Sequence, residues 1–108
     1  SEQKVIDQEL INRIFHRVLT SHEPLFSNYR NLIPAQQYKL LQAIAVENGI
    51  SQPTSGSFIR DHKLTSASSV TTSLKALSEK EMIVQTADQW VVYDVFFSRW
   101  LQYQYGSK

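Results

Sequence analysis

The sequence predicts a mostly α-helical domain with one small β-hairpin, and three observations predict it. First, residues 65–93 (TSASSVTTSLKALSEKEMIVQTADQWVVY) change period partway along. Ala67, Val70, Leu74 and Leu77 recur at helical spacing behind Ser66, whose hydroxyl can accept from an unpaired N–H of the first turn. Beyond Glu81, residues 82–86 and 90–93 are rich in β-branched and aromatic side chains, with Ala87, Asp88 and Gln89 between them. Second, a helix, a connector and a short helix precede this stretch. Third, an apolar-patterned helix lies at each end of the chain. Helix, connector, short helix, turn, long helix and hairpin is the order of a winged helix-turn-helix: a three-helix core plus wing, here with extra N-terminal and C-terminal helices. An α+β domain whose polar helix face is merely solvated is the other reading of the pattern.

Each element follows from local chemistry. Over residues 5–19, Ile6, Leu10, Ile14 and Val18 step by four, with Ile11, Phe15 and Leu19 beside them. So broad an apolar face is expected to be buried, against the three-helix core or against a neighbour in a larger protein. Arg13, His16 and Arg17 lie on its polar side. The helix ends before Glu23–Pro24, because a residue preceding proline is biased out of the α region. Leu25, Phe26 and Tyr29 predict a short packed turn or helix.

Pro34 is expected to open the next helix, where a missing N–H costs least. Tyr38, Leu41, Ile44 and Ala45 form its core stripe, and Asn48–Gly49 stops it. Residues 50–54 are a connector. Ser55 or Ser57 caps a short helix containing Phe58, Ile59 and His62, and Leu64–Thr65 turns into the long helix. Asp94 caps a closing helix in which Phe96/Trp100 and Phe97/Leu101 are i, i+4 pairs. These aromatics are expected to dock on the hairpin and the first helix, with Trp100 buried and residues 103–108 fraying.

Length and composition bound the function. A chain of 108 residues with 42% hydrophobic and 19% charged residues forms one compact domain with its own core. The absence of cysteine excludes disulfides and thiolate metal sites and fits a reducing cytoplasm, the expected location. No apolar run approaches the roughly 18 residues a membrane span needs. The net charge of +1 supplies little long-range attraction for phosphate. The one net-positive stretch is residues 56–80, with Arg60, Lys63, Lys75 and Lys80 against Asp61 and Glu79.

Catalytic chemistry has no visible seat. Three glycines at 49, 56 and 106 make no phosphate-cradling loop, and His16, His22 and His62 share no metal-ligand spacing. Asp7 and Glu9 are solvated carboxylates on a helix, and the serines of residues 66–69 have no nearby base and no nucleophile elbow. The expectation is therefore a non-enzyme with no catalytic, cofactor or metal residues. Ser68, Ser69, Thr71 and Thr72 on the outward and flanking sides of the long helix suit phosphates or base edges. Lys75 would reach a backbone phosphate, and Arg60 and Lys63 would grip flanking ones. The expected partner is duplex DNA, held weakly and in a salt-sensitive way because only a few cations are at hand; the long helix also has no Arg, the residue most used to read guanine.

Three segments also carry a family resemblance: PAQQYKLLQAIA, then SFIRDHKLTSASSVTTSLKALSEKEMI, then WVVYDVFFSRWL. Together they resemble the C-terminal winged-helix domain of prokaryotic P-loop ATPases, the archaeal- and Bacteroidetes-type members of the AAA+/STAND group. The resemblance implies that residues 1–32 are the end of the ATPase lid or its linker and that residues 33–108 are the winged-helix domain. Any ATP and Mg site would then belong to an ATPase core outside this chain, and that core would itself be a partner. Val95 replaces the Pro frequent after the Asp in such proteins, and residues 85–89 lack the Lys or Arg a DNA-contacting wing would use. The chain opens SEQKVID without Met and its one Met is Met82; methionine removal before a small Ser explains this as well as excision from a longer protein does, and the resemblance favours excision. A regulatory module that packs on that core without touching DNA is the alternative function. A free-standing dimeric transcription factor, with residues 5–19 as dimer helix, is a third.

Overall fold

A computed structural model describes the backbone of residues 2–106 and the side chains of residues 7–106. Among these residues the order is α1 (Glu2–Ser21), α2 (Glu23–Leu32), α3 (Ala35–Glu47), α4 (Gly56–Asp61), α5 (Ala67–Glu79), β1 (Ile83–Thr86), β2 (Gln89–Val92) and α6 (Val95–Tyr105). The strands pair antiparallel with Ile83 opposite Val92 and Thr86 opposite Gln89. Three helices, a hairpin and extra helices at both ends make the winged helix that the residue pattern predicts.

The core is built on α3. Tyr38, Leu40, Leu41, Ala43, Ile44 and Ala45 are all buried, so this helix is enclosed on most of its circumference. It packs against α5, α6, β2 and α2. Pro34 stands one position earlier than expected, as the N-cap, with Ala35 the first helical residue.

All three helices of the core end in the same way. Asn48, Lys63 and Glu81 adopt left-handed backbone, with φ of 56°, 56° and 60°. At each, the following N–H reaches back five residues: Gly49 to Ile44, Leu64 to Ile59 and Met82 to Leu77, at 3.2, 2.9 and 3.0 Å. This is the Schellman closure, which satisfies carbonyls the helix end leaves unpaired and sets an apolar residue after the turn on one inside the helix. Asn48–Gly49 is legible in sequence. Lys63 and Glu81 carry no such signal.

Ser55 and Ser66 cap α4 and α5 by accepting from Phe58 N–H and Ser69 N–H at 3.2 and 3.1 Å. Along α5 the buried side chains are Val70, Ser73 and Leu77. Leu74 is half-buried and Ala67 is exposed, so the core face is rotated toward Ser73 relative to the expected stripe. The hairpin turn is shorter than expected: only Ala87 and Asp88 lie outside the strands, both at positive φ, as a primed two-residue turn requires. Within the connector, Ile50 forms a bridge to Trp90 through two backbone hydrogen bonds of 2.8 and 3.0 Å. The bend into it uses Gly49 at φ +114°, where an added Cβ would stand 2.9 Å from Gln89 Oε1.

Two expectations about the ends are corrected. The apolar face of α1 is largely uncovered: Leu10, Ile11 and Ile14 are 48%, 54% and 52% exposed, and among the described side chains of the helix only Leu19 is buried. The helix touches the body through its last two turns, and Val5 and Ile6 lie outside the described side chains. At the other end, Asp94 caps α6 as expected, accepting from Phe96 and Phe97 N–H. Trp100 is buried as expected, beside Phe26 of α2, and its indole N–H donates to Glu23 Oε1 at 2.7 Å; α6 also docks on α1, where Phe96 meets Phe15, and on β2, as expected. The main bed of α6 is α3. Residues 103–105 continue the helix instead of fraying, with Tyr105 Oη 3.1 Å from Tyr38 Oη; Ser107 and Lys108 lie outside the described residues.

Two measurements test this packing. Leu77→Ala should cost about 2–5 kcal/mol in urea denaturation, whereas Thr72→Ala on the outer face should stay within about 0.5 kcal/mol. Burial, and then the hydrogen bond with Tyr105, raise the Tyr38 pKa above its ordinary value. A raised folded-state pKa favours the protonated fold, so this stabilisation is complete below the unfolded value of about 10 and is lost as pH rises beyond it. The alkaline limb of a pH–stability profile should therefore be shallower in Tyr38→Phe.

Candidate nucleic-acid interface

The outward face of α5 exists because its inward face is fully used. With Val70, Ser73 and Leu77 against the core, Ser68, Thr71, Thr72 and Lys75 are left exposed. Arg60 on α4 and Lys63 in the left-handed position after it are exposed as well. These six of the seven expected residues lie at the surface of the helix-turn-helix.

Ser69 is placed differently. It is half-buried, and its hydroxyl donates to Gln36 Oε1 on α3 at 2.9 Å, so its proton is already committed. The threonines carry a similar commitment. Thr71 and Thr72 hydroxyls donate to the carbonyls of Ala67 and Ser68, each at 3.0 Å. In that rotamer they present lone pairs outward and can accept from a base amino group. Binding a phosphate, which only accepts, needs the hydroxyl proton to turn outward. Ser68 shares a 3.3 Å contact with Ser66, in which either hydroxyl can donate.

Charge on this face is sparse. Among the described residues the one contact between a basic and an acidic side chain is His62 Nε2 to Glu47 Oε2 at 2.7 Å, a hydrogen bond that is an ion pair only when His62 is protonated, tying the end of α4 to the end of α3. Arg60, Lys63 and Lys75 have no ion-pair partner among them. Lys80, counted in the net-positive stretch, donates instead to Gln37 Oε1 at 2.6 Å. Two residues outside the expected set join the interface. Gln36 and Lys39 of α3 line a shallow recess with Thr65 and Ser69 beside the start of α5. Only the folded packing of α3 on α5 brings them there. The tip of the hairpin, residues 85–89, is exposed and offers no cation.

Among the described residues no group of three or more His, Asp or Glu side chains gathers to hold a metal, and no helix is long and apolar enough to cross a membrane. Comparison with curated proteins gives no match, and neither does comparison with solved structures. A family model described as "probable winged helix domain" matches residues 24–103, from the start of α2 to the last turn of α6. That span takes in the three-helix core, the hairpin and the aromatic closing helix together, and the chain belongs to this winged helix domain family.

Proposed function

We propose that this domain is a non-catalytic module that contacts duplex DNA weakly, with α5 as the element that meets the duplex. The observation that carries the reading is the outer face of α5, where Ser68, Thr71, Thr72 and Lys75 are exposed, with Arg60 and Lys63 exposed on and after α4. Small hydroxyl side chains let a helix approach base edges closely, and the cations beside them supply phosphate contacts that fix register. With no Arg on α5, direct reading of guanine is poor, so most of the affinity comes from phosphate neutralisation.

The parentage of the domain belongs to the same proposal. Resemblance of the three segments to AAA+/STAND ATPases supports a longer protein whose ATPase core holds ATP and Mg. Residues 1–32 would then lead from that core and residues 33–108 would form the module. A regulatory module that binds protein and not DNA is the second reading, and the uncovered apolar face of α1 is the observation that favours it.

Titration of a labelled duplex at low salt tests the DNA contact. Lys75→Ala and Lys63→Ala should each weaken binding and lower the slope of log affinity against log salt by about one. Failure to bind duplex at protein concentrations above about 100 micromolar, the non-specific limit, removes the direct-contact reading and leaves the protein-binding one.

A further inference from the structure

We propose that the exposed seam of α1 is an antiparallel self-association surface, and that its occupant is a second copy of this chain. α1 is held to the body along one side. Phe15 is fixed to α6, its ring 4.8 Å from that of Phe96, with the Arg99 guanidinium 5.3 Å from the Phe15 centroid. Leu19 is buried one turn later. Anchored on that side, α1 turns another apolar strip to solvent, with Leu10 at 48% and Ile14 at 52% exposure.

At about 100° per residue, Asp7, Leu10, Ile14 and Arg17 fall within about 80° of arc, and Ile11 flanks them. All five are exposed. The spacings are three, four and three, the a/d seam of a helix pair. The order along the seam is acid, apolar, apolar, base.

That order selects both partner and direction. A second α1 laid antiparallel about a two-fold near Asn12 sets Leu10 against Ile14 of the other copy, twice. It also sets Asp7 against Arg17 of the other copy at both ends. Parallel pairing would instead oppose Asp7 to Asp7 and Arg17 to Arg17. The same four residues complement themselves under a two-fold axis, the isologous arrangement of symmetric dimers. The apolar layers supply most of the attraction. The exposed ion pairs add little energy but penalise the wrong direction. With about two core layers the contact sits at or below the low end of interface sizes, so the dimer is weak and concentration-dependent.

Sedimentation equilibrium of the 108-residue chain without DNA tests this independently of the DNA reading. Self-association is expected within about 10–100 micromolar, the range fitting a contact below the standard interface size. Leu10→Asp should abolish it while leaving the circular dichroism spectrum and the cooperative melt intact. Asp7→Arg alone and Arg17→Asp alone should each weaken association about tenfold, because each opposes like charges across the two-fold. An equimolar mixture of these two variants should associate at least as well as the unchanged chain, because Arg at 7 of one copy then meets Asp at 17 of the other. Three results would overturn the proposal: a chain that stays monomeric above about 300 micromolar, a dimer indifferent to Leu10→Asp, or a mixture no better than its components. The first would assign the seam to a different protein surface, such as an ATPase core.

Discussion

Burial of α3 on most of its circumference is the constraint on which the rest of the fold depends. A helix with Leu40, Leu41, Ile44 and Ala45 at or below 1% exposure has to be covered from several directions at once. No single neighbour can do this, so α5, the hairpin, α2 and α6 all pack on it or beside it. Burying side chains of this size contributes roughly 1.5–3 kcal/mol each, so the closing helix is as much part of the core as the helix-turn-helix. The left-handed closures after α3, α4 and α5 turn the chain sharply enough to keep its connections short.

Bringing α6 onto α3 buries polar atoms, and each has been given a partner. Gln102 Nε2 donates to the Ala45 carbonyl at 2.9 Å, Trp100 N–H donates to Glu23, and the Tyr38 and Tyr105 hydroxyls meet each other. Among the described residues no buried side-chain nitrogen or oxygen lacks a hydrogen-bond partner. An orphaned buried group would cost about 1–3 kcal/mol, so these three contacts are a condition for packing α6 there at all.

Most of the architecture is legible in residue pattern, for identifiable reasons. Ser55, Ser66 and Asp94 each stand just before an apolar periodic run, and each side chain caps its helix. The α5-to-hairpin change of period from 3.6 to 2 is local and needs no tertiary knowledge. Tertiary choices are what stay hidden. Lys63 and Glu81 adopt a backbone that their side chains do not favour, and Ile50 is a single residue between Gly49 and Ser51, too short to read as a strand. The α1 face is the opposite case. Its periodicity is plain, but periodicity reports only that a face is apolar, and not whether this chain supplies what covers it. Within the candidate interface, exposure of Thr72 and Lys75 follows from helix phase. Ser69 turning to Gln36, and Lys39 arriving beside α5, follow from how α3 crosses it.

The two candidate surfaces differ in chemistry in a way that separates their roles. On the outer face of α5 the exposed side chains are short hydroxyls and Lys75, with Arg60 and Lys63 beside them and no large apolar group, so the face loses little by staying wet. On α1, three aliphatic side chains about half exposed lie along one strip, and that strip gains by leaving water. Covering it removes apolar area regardless of salt, whereas contacts made by Arg60, Lys63 and Lys75 weaken as salt rises. Ionic strength therefore distinguishes the surfaces. An association through α5 fades with added salt, while one through α1 persists and loses mainly the directional bias that Asp7 and Arg17 provide.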